Sequence, residues 1–94
     1  MTKAEARQHI DSLGLPPAQA AAAYRTIKRA TASERIDITQ AAGGDLIVTR
    51  TRPGRIGYQV FEDTVRADGG KVVVQRAYDD QGRLVHDDPK GGTP

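Results

Sequence analysis

The chain has 94 residues, 37% hydrophobic and 28% charged, with a net charge of +2; this is the composition of one folded domain, too short for a second core and too apolar for a disordered tail. It contains no cysteine, which excludes disulfides, thiol nucleophiles, thiolate zinc sites and iron–sulfur clusters. No apolar run approaches the roughly 18 residues that span a bilayer, and the N-terminus has no apolar signal segment, so the chain reads as soluble as written, with secretion inside a larger protein left open.

Thr2 followed by Glu5 fits a capping box. It opens a helix expected over 3–13, with Ala6, Ile10 and Leu13 as a narrow apolar stripe and Gly14 as its stop. Leu15-Pro16-Pro17 breaks the chain and starts a second helix over 16–32, since proline is tolerated in a first turn. Its alanines, Ala18 and Ala20 to Ala23, are strong helix formers. Ala20, Ala23, Tyr24, Ile27, Ala30 and Thr31 offer a face for close packing on a sheet, while Arg25, Lys28 and Arg29 make another face basic. Residues 1–33 carry five Lys/Arg against two acids, so the basic excess sits in these helices.

From Glu34 the apolar period changes from 3.6 to 2. Strands are expected over 35–40, 45–52, 57–66, 71–78 and 83–87, separated by Ala42-Gly43-Gly44, Pro53-Gly54, Ala67-Asp68-Gly69-Gly70 and Asp79-Asp80-Gln81-Gly82. Each connection is short and carries glycine, whereas a parallel crossover needs a dozen residues or more, so the strands must form a meander. The expected fold is α+β: two N-terminal helices packed on one face of a four- to five-stranded antiparallel meander sheet. The domain covers 1–90, with 91–94 as a disordered tail, and the other sheet face is open.

Parity decides what lines that open face, and two sets compete. If Leu46, Val48, Val60, Val72, Val74 and Leu84 face the helices, the open face carries Thr49, Thr51, Gln59, Phe61, Gln75 and Arg83. If Ile47, Phe61, Val65, Val73, Ala77 and Val85 face them, it carries Arg50, Arg52, Tyr58, Arg76, Tyr78 and His86. The second set is preferred because burying Thr and Gln costs less than burying Arg and Glu.

The stretch from Thr49 to Gln59 is the chemical focus. Arg50, Arg52 and Arg55 around a Pro-Gly turn are suited to gripping phosphates and stabilising charge on phosphorus, although arginine is also a common protector of strand edges. Tyr58 and Gln59 could stack on a base and bond its edge, or simply pack. His86, beside Asp87 and Asp88, is suited to proton transfer near neutral pH. Arg25, Lys28, Arg29 and Lys71 are candidate backbone contacts. No metal site is expected, because Asp79-Asp80-Gln81-Gly82 is better explained as turn chemistry and the spacing matches no EF-hand loop or H-E-x-x-H helix; there is no Walker loop and no dinucleotide fingerprint either, and no cofactor is expected.

Tyr78-Asp79-Asp80-Gln81-Gly82-Arg83-Leu84 resembles the hairpin of the YD repeats in Rhs-type secreted proteins. Arg52 to Gln59, Lys71 to Tyr78 and His86 to Lys90 together resemble the C-terminal toxin domains of bacterial polymorphic and contact-dependent inhibition systems. Helices followed by an antiparallel meander is also the order of the barnase/EndoU/colicin/RelE group of ribonucleases. That resemblance implies a secreted effector acting in the target-cell cytoplasm and an acidic immunity protein as partner. It carries over no fixed catalytic set.

The expected function is a metal-independent endoribonuclease acting on tRNA or another structured RNA, a monomer on its own and without a membrane role. His86 would be acid or base, Arg52 and Arg55 charge stabilisers with Arg50 in support, and Tyr58 and Gln59 would position the base or share proton transfer. The alternative is a non-catalytic nucleic-acid-binding or protein-interaction module, including an immunity or antitoxin protein.

Overall fold

The structure, a computed structural model, describes residues 1–93, with side chains described as far as Asp87. Helix α1 spans Lys3–Ser12 and opens on the expected capping box: Thr2 Oγ1 accepts from the Glu5 N–H at 3.1 Å and Glu5 Oε1 accepts from the Thr2 N–H at 2.8 Å. Gly14 follows in the left-handed region, with φ of 63°. Helix α2 spans Pro17–Lys28 and stops short of the expected 32. The reason is local: the Glu34 carboxylate accepts from the Thr31 N–H at 2.8 Å and the Glu34 N–H donates to the Thr31 carbonyl at 3.1 Å. This side-chain capture offers the backbone an alternative to continuing the helix.

Five strands follow: β1 Arg35–Gln40, β2 Leu46–Pro53, β3 Tyr58–Val65, β4 Lys71–Tyr78 and β5 Leu84–Thr93, all antiparallel and paired in chain order. β5 runs past 87, where the sequence suggested its end. Of the expected tail at 91–94, the side chains and the whole of Pro94 lie outside the described residues.

The helices lie over β1 to β3. Ala6, Ile10, Ala22, Ala23, Ile27 and Ala30 meet Ile36, Leu46, Val48 and Val65, each at most 3% exposed. Alanine on the helix side lets the backbones approach closely, and each buried Ile, Leu or Val contributes about 1.5–3 kcal/mol. Gln19 fastens α2 down, its side-chain amide donating to the Gly44 carbonyl at 2.8 Å and the Val65 carbonyl at 2.9 Å. A second tie is ionic: Asp63 Oδ2 accepts from Thr26 Oγ1 at 2.8 Å and pairs with Lys71 Nζ at 3.2 Å, with Asp63 2% exposed.

The register follows neither parity set in full. β2 pairs with β3 as Leu46↔Val65, Val48↔Asp63, Arg50↔Phe61 and Arg52↔Gln59, so even positions of β2 share a face with odd positions of β3. The helix-side face therefore combines Leu46 and Val48 with Phe61, Val65, Val73 and Ala77. The preferred set had Arg50, Arg52 and His86 on the open face; this is corrected, since all three share the helix side, while Tyr58, Arg76 and Tyr78 do face away from it. The physical reason is twofold: the β2–β3 turn fixes parity across that hairpin, and a register shift in the β4–β5 pairing between Ala77 and Tyr78 sets His86 opposite Ala77.

That turn leaves Pro53 and re-enters at Tyr58, closed by the Gly54 N–H donating to the Gly57 carbonyl at 2.8 Å. A Cβ on Gly57 would overlap the Tyr78 carbonyl oxygen and the Asp79 backbone, neither of which can yield without moving the β4–β5 hairpin. Gly57→Ala is expected to cost about 2–3 kcal/mol, a fall in Tm on the order of 15 °C for a domain this size. A thermal melt unchanged within 3 °C or so would show that the turn adapts.

Candidate nucleic-acid interface

The helices cover only part of their side of the sheet. Beyond them, the register draws one row across four strands: Arg52 on β2, Gln59 on β3, Ala77 on β4 and His86 on β5. Directly opposed residues present their side chains to the same face, so Arg52, Gln59 and His86, far apart in sequence, share one surface. Three strand spacings separate Arg52 from His86, about 14 Å between Cα atoms. The small side chain of Ala77 leaves the middle of that span low. The next row is Arg50, Phe61 and Gln75.

Glu34 organises the arginine end. Its side chain is fully buried, with Oε1 3.4 Å from Arg50 Nη1 and Oε2 3.0 Å from Arg52 Nε. Both guanidiniums lie over Phe61, at 4.8 and 4.9 Å from the ring centroid, where the ring quadrupole adds to their attraction. The two arginines then divide: the Arg50 side chain is 10% exposed and that of Arg52 is 41%. Arg50 thus supports from within while Arg52 reaches solvent. Arg50 Nε is buried without a hydrogen-bond partner.

Burial alone would push the Glu34 carboxyl up. The Thr31 N–H and the guanidiniums of Arg50 and Arg52 together outweigh it and hold the carboxyl below the usual carboxylate range. A folded-state pKa below the unfolded value, near 4.3, means that this stabilisation is complete above that value and is lost as pH falls through the lowered one. Denaturant midpoints measured downward from pH 6 should therefore hold until about pH 4.5 and then drop, with less of this acid loss in Glu34→Gln. The same slope in both proteins would place the acid sensitivity elsewhere.

The other expected site residues fall in different places. Arg55 is exposed in the β2–β3 turn and makes no ion pair among the described residues. Tyr58 is on the opposite face, stacked on Tyr78 with centroids 4.9 Å apart, beside Arg76 paired to Glu62 at 3.2 Å. Lys71 is not a surface cation: its side chain is 15% exposed and engaged with Asp63. Arg25, Lys28 and Arg29 are exposed. Thr26 faces β3 and β4 through Asp63 and Lys71; at about 100° per residue, Arg25 and Arg29 share a flank with Ala18. Ala18 abuts Gly69 in the β3–β4 turn, so this flank lies on the side of α2 toward that turn, whereas Lys28 points away.

Sequence reasoning missed Glu34 as a functional residue. It marks the switch from helix to strand, and nothing local reveals two arginine partners 16 and 18 residues on. Phe61 was visible as the single phenylalanine, without a hint of its guanidinium neighbours.

A cleft of about 660 Å³ lies behind the arginine end, between the N-terminal turn and residues 31–36, with Glu34 in its lining. Its polar groups are already engaged, Thr2 and Glu5 in the cap and Thr31 with Glu34 and Ser33, so the row is the better candidate. Among the described residues no group of three His, Cys, Asp or Glu is placed to hold a metal ion, and no helix is long and apolar enough to cross a membrane. Comparison with family models, with curated proteins and with solved structures finds no match to this chain.

Proposed function

We propose that this chain is a metal-independent endoribonuclease domain that cleaves tRNA or another structured RNA, using the helix-side face of β2 to β5. The observation that carries this reading is the row from Arg52 through Gln59 and Ala77 to His86. A polyanion lying along the row meets cations at one end and an imidazole at the other.

In the reaction a base removes the 2′-OH proton, the 2′-oxygen bonds to the adjacent phosphorus, and the 5′-oxygen leaves with a proton. The products are a 2′,3′-cyclic phosphate and a 5′-hydroxyl. His86 serves as acid or base and Arg52 offsets charge developing on the phosphoryl oxygens. Arg55 extends the cationic rim, and Arg50 supports Arg52 from below. The resemblance to polymorphic toxin domains adds the context: delivery within a larger secreted effector, and an acidic immunity protein as partner.

Incubation with total tRNA in EDTA tests the reading. Fragments ending in cyclic phosphate are the expected result, and intact RNA would overturn it. The alternative is a non-catalytic nucleic-acid-binding module on the same face. It is favoured by one observation, that His86 is the row's single proton-transfer group among the described residues.

A further inference from the structure

Between Arg52 and His86 the sheet offers a shelf that the bond-breaking steps do not use. Its floor is Ala77. Gln59 stands directly across from Ala77 on β3, and Gln75 stands two residues along β4, opposite Phe61. The two glutamines are thus diagonal neighbours on one face, about 7 Å apart. Both are half-buried, and neither carboxamide makes a hydrogen bond to a described residue. The contrast within the chain is Gln19, whose amide donates to two carbonyls, at 2.8 and 2.9 Å.

Neither carboxamide is among the buried unpaired groups of the described residues, so both reach solvent and can exchange water for a complementary group without first breaking a bond inside the protein. The side-by-side donor and acceptor of a carboxamide match the edge of a nucleobase, where donors and acceptors also alternate. A base in an A-form duplex cannot lie on the shelf, because its face is stacked, its Watson–Crick edge is paired and its major-groove edge lies in a deep, narrow groove that side chains do not read, whereas a base splayed from a loop can lie on a sheet face.

We propose that this shelf seats one unpaired nucleobase, held along its edge by Gln59 and Gln75 over Ala77, so that the substrate is single-stranded or looped RNA rather than duplex. The inference rests on reading this face as the RNA surface.

The test is fluorescence anisotropy with a labelled 2′-O-methyl RNA dodecamer, alone and as a duplex. Methylation removes the attacking hydroxyl, so binding is read without cleavage, and a protein that binds but never cuts natural RNA would sink the nuclease reading while leaving the shelf standing. The wild-type protein should bind the single strand about tenfold more tightly than the duplex. Gln59→Leu and Gln75→Leu should each weaken single-strand binding about tenfold and leave duplex binding unchanged. Gln75→Met keeps the length of the side chain and carries the same expectation should the leucine variant fail to fold. Equal affinity for duplex and single strand, no binding to either, or glutamine variants that bind like wild type would each overturn the proposal.

Discussion

Replacing His86 by alanine is expected to lower RNA cleavage by about 10²–10⁴-fold, the range for removing a general acid or base. Arg52→Ala should lower it by about 10²–10³-fold, as expected when one stabilising cation or donor is removed from a developing charge. Tyr58→Ala is the informative control. Tyr58 sits on the other sheet face against Tyr78, so this substitution should loosen the pairing of β3 with β4 and leave the rate per folded molecule close to wild type. Rates measured on a defined tRNA, normalised to the folded fraction, separate these outcomes. Loss of cleavage in Tyr58→Ala with His86→Ala unaffected would move the active surface to the opposite face.

Glu34→Ala should have the largest effect on stability. It leaves the nearly buried Arg50 and the half-exposed Arg52 without their shared carboxylate and the Thr31 N–H without its acceptor. Removing one partner from a buried ion pair costs about 3–5 kcal/mol, a large share of the roughly 5–15 kcal/mol that holds a domain of this kind. A double-mutant cycle with Arg50→Ala should be strongly non-additive, because most of the penalty is an uncompensated guanidinium that the second substitution removes. Additive losses in urea denaturation would mean that Glu34 and Arg50 are independent. Cleavage should also fall in whatever Glu34→Ala molecules remain folded, since Arg52 loses the contact that holds it over Phe61.

Element type and order were legible because they depend on neighbours in the chain. Thr2 with Glu5, Gly14, Pro16-Pro17 and the glycine-bearing connections are local signals, and each acts where it stands. The short connections by themselves dictated antiparallel pairing. Of the candidate site, Arg52, Gln59 and His86 were each named for their chemistry but fell in competing parity sets, so the row that holds all three was not legible; Tyr58 and Lys71 were named with them and lie outside the row. The case against burying Arg50 was sound in its physics, since an unpaired guanidinium is costly, but it lacked the carboxylate that answers the charge.

What the sequence by itself determined is therefore the meander of strands beneath two helices, and the chemistry available to it. Which residues share a surface was decided only by the tertiary structure. The β2–β3 turn sets the parity that carries Arg50 and Arg52 to the helix side and Tyr58 away from it. Burial of Arg50 and the placement of Arg52 then depend on Glu34, whose approach is made by the path of the chain from α2 into β1. Turn register and long-range charge pairing are properties of chains brought together in space, and no local pattern of residues encodes them.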